Sequence, residues 1–147
     1  MGVTFRYPGT IACQVAGIEK QRFNEAVAAG RYKCAPDVRK GGTRTFDHND
    51  IVTLFVYARL IEQEIPARVA GEIACSLRSK LGEFPDAKEL RVPRYSEHGK
   101  TPPGELPIPS SSEEEEYSVH VQMAFDIAGI RQEVTRRLKK ATQAKPT

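Results

Sequence analysis

The 147-residue chain has only three cysteines, no tryptophan and no long apolar run. A membrane-spanning helix needs about 18 apolar residues, so the sequence predicts no membrane span. The N-terminus also lacks the apolar stretch of a secretion signal, and we therefore expect a soluble cytoplasmic protein. The cysteines are Cys13, Cys34 and Cys75. Because they are odd in number and far apart, the sequence predicts three reduced thiols.

Motifs of catalysis and of metal binding are also missing. The sequence has no G-x-S-x-G, Walker or dinucleotide-binding fingerprint, so we expect no enzyme and no cofactor. Zinc ligands have characteristic spacings that the cysteines and histidines do not show. The histidines are His48, His98 and His120. We therefore expect no metal site.

The net charge of +3 is too small to identify a polyanionic partner, but the charge is distributed unevenly. Residues 1–44 contain eight lysines and arginines against three acids. The basic excess of the chain therefore lies in its N-terminal third, and this is where we expect an anionic partner to bind.

This basic region has the order helix, turn, helix, hairpin. Thr10 is a good N-cap for a first helix that ends near Ile18, with Gly17 in the turn. A second helix over 19–29 has apolar residues on one side, and a basic hairpin with a Gly-Gly turn follows over 39–45. The apolar residues are Phe23, Ala26 and Val27. This order is typical of a winged helix-turn-helix.

Two further helices follow the hairpin. Asp47 and Asp50 have the spacing of an N-cap and a first-turn acid, and the helix after them is apolar on more than one side. Such a helix is either central or covered by another chain. Pro66 fits the first turn of the next helix, which ends near Gly82. We group these helices with the N-terminal region as a domain over 1–85.

Residues 86–147 have a different pattern. The segments 88–95 and 117–127 are predicted strands that pair around a Pro-, Ser- and Glu-rich mobile loop over 99–116. A helix over 128–141 follows, with Asp126 as its N-cap. The sequence therefore predicts an α+β fold, a winged helix-turn-helix with two extra helices and a C-terminal strand-helix unit.

Residues 10–81 resemble the DNA-binding domain of MerR-type regulators, the mercury-resistance regulator superfamily. The matching residues are Ile11, Val15, Gly17 and Ile18 in the first helix and turn, Phe23 and Gly30 in the second helix, and Gly42 to Phe46 in the wing. The resemblance implies a winged helix that binds duplex DNA and regulates transcription. It covers about half of the chain.

Polar side chains of the second helix are suited to base edges in the major groove. They are Lys20, Gln21, Arg22 and Asn24, while Arg39, Lys40 and Arg44 in the wing are suited to the phosphate backbone or the minor groove. A solvated helix surface is the alternative interpretation, because basic residues on small helices often have no partner. Glu19 and Glu25 on the same helix favour that alternative, since phosphates repel them unless they read cytosine or point away from the DNA.

The sequence favours a bacterial transcriptional regulator that is nucleoid-associated and binds DNA as a homodimer. One winged helix rarely reads enough sequence alone, so we expect dimerisation through the apolar helix 51–61 and the unit 117–141. Two alternatives stay open: an excisionase-like factor that bends DNA, and a protein-interaction module that no longer touches DNA. The basic run Arg136 to Lys140 is either a second phosphate contact or a helix end that complements the helix dipole.

Overall fold

Five helices and two small antiparallel sheets form an α+β fold in the computed structural model, which describes residues 5–39, 41–96 and 119–143. The elements are β1 (Tyr7–Pro8), α1 (Gly9–Ala16), α2 (Lys20–Ala28), β2 (Val38–Arg39), β3 (Thr43–Phe46), α3 (His48–Glu62), α4 (Ala67–Glu83), β4 (Glu89–Ser96), β5 (Val119–Asp126) and α5 (Ile127–Gln143). Among these described helices, none combines the length and the apolar character of a bilayer span.

The turn between α1 and α2 has the backbone geometry of a glycine cap. Gly17 has a φ of 79°, and its N–H donates to the carbonyl of Cys13 at 2.9 Å. Ile18 donates to the same carbonyl at 3.0 Å. The prediction that Thr10 caps α1 is wrong, because Pro8 occupies the N-cap and α1 begins at Gly9, two residues earlier than predicted. Pro8 pairs with Thr45 in the sheet, and this pairing fixes where the helix starts.

The predicted hairpin with a Gly-Gly turn is confirmed. Strands β2 and β3 pair antiparallel, and Gly41 and Gly42 between them have φ values of 101° and 83°. Strand β1 pairs with the other edge of β3, so the sheet order is β1-β3-β2. Pairing of β1 with β3 places the chain segment before α1 directly beside the hairpin.

Helix α3 is the centre of the hydrophobic core. Its predicted start is confirmed: the Asp47 carboxylate accepts from the N–H of Asp50 at 2.8 Å, and the Asp50 carboxylate accepts from that of Asp47 at 2.9 Å. All residues from Ile51 to Ala58 are buried, against α1, α4 and α5. The prediction that helix 51–61 is a dimer surface is therefore wrong, since its apolar sides are covered by the same chain.

The segment between α2 and β2 is packed against α4. The ring of Tyr32 is buried and makes edge-to-face contacts with Phe23 and Tyr57, at centroid distances of 5.5 and 5.0 Å. The backbone carbonyl of Arg31 approaches α4 so closely at Gly71 that a Cβ there would lie 1.7 Å from the carbonyl oxygen. Only glycine allows this approach.

A disulfide joins the same segment to α4. It links Cys34 and Cys75, whose Cα atoms are 5.4 Å apart although 41 residues separate them in sequence. The prediction of three reduced thiols is therefore wrong for these two cysteines, because folding brings together residues that sequence spacing kept apart. Cys13 is a buried free thiol.

The C-terminal strands and helix form as predicted and pack on the rest of the chain. Strands β4 and β5 pair antiparallel, and the Asp126 carboxylate at the start of α5 accepts from the N–H of Gly129 at 3.0 Å. Val134 and Leu138 of α5 belong to the same hydrophobic cluster as α1, α3 and α4. Residues 5–85 and 86–143 therefore share one core where they are described. The predicted mobile loop over 99–116 lies outside the described residues.

Replacement of Gly71 by alanine tests the close approach of α4 and the segment that follows α2. We expect Gly71→Ala to lower the free energy of unfolding by about 3 kcal/mol, because the new methyl group overlaps the carbonyl of Arg31. Chemical denaturation measures this change.

Gly82→Ala in the same helix is the matched control. Its methyl group would meet only the Arg78 Nη1 atom, at 3.8 Å, and alanine has the higher helix propensity. We expect its stability to be unchanged or slightly higher. Equal stability of the two variants would show that the segment after α2 is not docked at Gly71.

Candidate nucleic-acid interface

The exposed side of α2 carries the four polar residues that the sequence analysis selected. They are Lys20, Gln21, Arg22 and Asn24, and all four are exposed, whereas Phe23 and Ala26 are buried on the other side. Glu25 also lies on the exposed side and accepts a hydrogen bond from the Gln21 amide at 3.4 Å. The predicted amphipathic arrangement of α2 is confirmed.

Helical geometry divides this exposed side into two edges and a centre. At about 100° per residue, Lys20 and Asn24 share one edge, and Arg22 lies on the other. The bonded pair Gln21 and Glu25 lies between them. Glu25 is thus close to the centre of the exposed side, and it also lines the groove between α2 and α3.

A groove of about 360 Å³ separates α2 from the hairpin. Lys20 and Asn24 line it from the helix, and Thr43 and Arg44 line it from β3. Arg22 instead lines a second groove of about 500 Å³, between α2 and α3. The structure therefore brings Lys20 and Asn24 together with the hairpin and places Arg22 on the opposite side of α2.

Only one of the three predicted hairpin cations has a described side chain. Arg44 is half-buried and donates from Nη1 to the backbone carbonyl of Pro36, so it braces the hairpin against the preceding segment. Arg39 belongs to β2 and pairs with Thr43, but its side chain and all of Lys40 lie outside the described residues.

Arg6 is a cation bound to the hairpin that the sequence pattern does not single out, and it lines a pocket with Asp37 and the acids of the α3 cap. Its Nε donates to the Thr45 hydroxyl and its Nη2 donates to the Thr45 carbonyl, both at 2.8 Å. The pairing of β1 with β3 brings Arg6 beside the hairpin. Only the two-residue strand β1 determines this position, and a strand so short gives no alternating pattern in the sequence.

Two further arginines hold the turn that precedes α2. Arg59 of α3 donates to the carbonyl of Ala16 at 2.9 Å, and Arg137 of α5 donates to that of Val15 at 3.0 Å. Both guanidinium groups lie over the ring of Phe55, at 4.8 and 5.0 Å from its centroid. These contacts satisfy carbonyls that the end of α1 leaves without helical partners, and they fix the position of the turn.

Below the hairpin, two acids of the α3 cap are paired with Arg78 of α4. Arg78 donates from Nε to Asp50 at 2.9 Å, and its Nη2 lies 3.5 Å from the Asp47 carboxylate. Burial raises the pKa of Asp50, while its hydrogen bonds to the Asp47 backbone and to Arg78 act in the opposite direction. Pairing with Arg78 limits the negative potential that these carboxylates place beside the hairpin.

Cys13 lies under Lys20 at the edge of the groove, and its thiol is unsuited to nucleophilic chemistry. Burial raises its pKa to about 11, and the nearby charge of Lys20 lowers it only in part. The thiol is therefore protonated at neutral pH. In the described ranges, no three of the histidine, cysteine, aspartate and glutamate side chains come close enough to hold a metal ion.

No protein-family model matches the chain, and no curated protein matches it. The resemblance to MerR-type regulators therefore stays a prediction that depends on the residues and their order.

The N-terminal half of α5 is attached to the start of α3 by a polar cluster. The His48 Nε2 atom lies 3.2 Å from the Thr135 hydroxyl oxygen, and Arg131 donates to the Asn49 side-chain oxygen at 2.9 Å. Burial is the main cause that lowers the pKa of His48, and Arg131 lowers it further, whereas Asp47 raises it. Neutral His48 is therefore favoured in the folded protein.

This cluster predicts a loss of stability in mild acid. Because folding lowers the pKa of His48 below its ordinary value of 6.5, the unfolded chain binds the proton first as the pH falls. The contribution of neutral His48 to the free energy of unfolding is complete above pH 6.5 and is lost progressively as the pH falls below it. We expect the Tm of His48→Gln to fall less than that of the unmodified protein between neutral pH and mild acid. Thermal melts followed by circular dichroism measure the difference, and parallel curves would contradict it.

Proposed function

We propose that the chain binds duplex DNA as a MerR-like winged helix-turn-helix, with α2 in the major groove and the hairpin 38–46 as the wing. One observation carries this proposal: the exposed polar side of α2 lies across a groove from the hairpin, and Lys20, Asn24 and Arg44 line that groove. A winged helix engages DNA with these two elements together.

The residues of α2 are suited to reading bases. Amide side chains pair with adenine and basic ones with guanine, so Gln21 and Asn24 suit the first and Lys20 and Arg22 the second. Glu25 beside Gln21 accepts hydrogen bonds, and the base that offers a donor in the major groove without a neighbouring acceptor is cytosine. In this proposal Glu25 contributes to specificity rather than preventing binding.

The wing approaches the backbone through its tip. In the described residues, no heavy atom beyond the adjoining residues lies within 4 Å of a Cβ built at Gly41 or Gly42, so the tip is open to a phosphate. Arg39 and Lys40 supply charge at this position in the sequence. Arg44 keeps the hairpin in place through its bond to Pro36.

We further propose that the chain acts as a homodimeric transcriptional regulator, because one winged helix contacts too few base pairs for a specific site and a dimer contacts two half-sites. Because α3 is buried, we propose the strand part of the unit 117–141, β5 with its partner β4, as the dimerisation element. Within the described residues each of β4 and β5 pairs along one edge only, so a second edge of the ribbon remains for a partner strand.

Removal of two α2 cations tests the DNA-binding proposal. We expect Lys20→Ala/Arg22→Ala to weaken binding to a labelled random-sequence duplex about tenfold or more, because base and phosphate contacts are lost together. Binding of the unmodified protein should fall steeply as salt rises. Fluorescence anisotropy across a salt series measures both effects.

The matched control is Arg68→Ala/Lys88→Ala, which removes the same charge from exposed positions outside α2, the hairpin and the strands β4 and β5. We expect this variant to bind as the unmodified protein does. Equal binding by both double variants, or no binding of any duplex by the unmodified protein, would overturn the proposal. Strong bending in a circular-permutation assay would instead support an excisionase-like factor, and a protein partner captured after nuclease treatment would support an interaction module.

A further inference from the structure

A cleft between α1 and α5 has basic walls and lies next to the turn that leads into α2. It has a volume of about 350 Å³ and is lined by Gln14, Val15, Arg136, Arg137, Lys140 and Ala141. We propose that this cleft binds a backbone phosphate of the duplex, beside the segment that α2 contacts. This inference rests on the proposed function and adds a second contact surface to it.

The position of the cleft follows from the packing of α1 between α2 and α5. Arg137 at its wall donates to the carbonyl of Val15, and its Nη1 atom lies 3.8 Å from a Cβ built at Gly17. Gly17 is the turn residue, and α2 begins at Lys20. The basic part of α5 is thus held at the N-terminal end of the helix that enters the major groove. In helix-turn-helix proteins the first helix crosses the DNA backbone, and here α1 is that helix.

The charge of the cleft favours an anion. Its lining contains three cations, Arg136, Arg137 and Lys140, and no acid, and the one acid of the described α5 is Glu133. Glu133 accepts hydrogen bonds from Arg136 and Arg137, at 2.6 and 2.7 Å, so its charge is already paired. Those pairs leave the ammonium group of Lys140 and further N–H donors of Arg136 for a ligand.

One residue that lines the cleft stabilises the fold, and the others are positioned to contact the ligand. Arg137 lines the cleft but is bound to the end of α1 and to Glu133. The side chain of Arg136 is 62% exposed, and Gln14 and Lys140 are exposed as well. A phosphate between Arg136 and Lys140 can also accept from the Gln14 amide.

The helix dipole explains the position of only some of the cations of α5. A dipole favours cations in the last turn of a helix, which in α5 includes Lys140. Arg136 lies about two turns before Gln143, the last residue of α5, where the dipole effect has faded. The dipole also gives no reason for cations of α5 to converge with Gln14 of α1 on one cleft.

Two adjacent lysines provide a matched test. Lys140 lines the cleft, whereas its neighbour Lys139 is exposed outside it. We expect Lys140→Gln to lower affinity on two unrelated duplex sequences alike and to reduce the slope of log K against log salt by about one, because one phosphate contact is lost. Lys139→Gln should bind as the unmodified protein does. Arg136→Gln/Lys140→Gln should reduce the slope by about two.

The outcomes separate this inference from the proposed function. If Lys20→Ala/Arg22→Ala weakens binding but Lys140→Gln and Lys139→Gln behave alike, the cleft is not a phosphate site and the function proposed for α2 stands. If the unmodified protein binds no duplex, both proposals are overturned. A Lys140→Gln effect that appears on one duplex sequence only would also overturn the inference, because a phosphate contact does not depend on the base.

Discussion

The last carbonyls of α1 accept hydrogen bonds from two arginines that also lie over the ring of Phe55. Arg59 comes from α3 and Arg137 from α5, so two helices meet at the end of a third. Their guanidinium groups satisfy backbone acceptors that water reaches poorly, and they stack on an aromatic face at the same time. The position of the turn at Gly17, and hence the direction in which α2 leaves it, depends on this arrangement.

The segment that follows α2 is also fixed in position. Beyond the helix, Tyr32 enters the core, the carbonyl of Arg31 rests against Gly71, and Cys34 is joined to Cys75. A binding surface is most precise when rigid elements support it at both sides. Helix α2 satisfies this condition, because α1, α3 and α5 fix its start and α4 fixes the segment that follows it. The two extra helices and the C-terminal unit thus act as the support of the candidate interface.

Local patterns in the sequence predicted most of the elements. The capping residues Asp47 and Asp126 act as their spacing indicated, and the Gly-Gly turn and the paired C-terminal strands form as expected. Each of these features depends on neighbours in the chain or on a simple period. The polar side of α2 was predictable for the same reason.

Contacts between distant segments were not predictable in this way. An apolar helix has the same sequence pattern whether its own chain or a partner covers it. The pattern of α3 therefore also fits a dimer surface, but in the structure the helix is buried by its own chain. The disulfide, the approach at Gly71 and the roles of Arg59 and Arg137 join residues whose sequence spacing carries no signal. The division of α2 into an edge facing the hairpin and an edge facing α3 likewise requires the positions of both neighbours.

The central claim is that the exposed side of α2 and the hairpin contact duplex DNA. Amide chemical shifts in a ¹⁵N-labelled sample, followed during titration with a duplex, test it most directly because each residue reports separately. We expect the largest changes at Lys20 to Glu25 and at Gly41 to Arg44, with little change along the exposed residues of β4 and β5. Changes confined to β4 and β5, or none at α2 under conditions where the duplex is bound, would contradict the account.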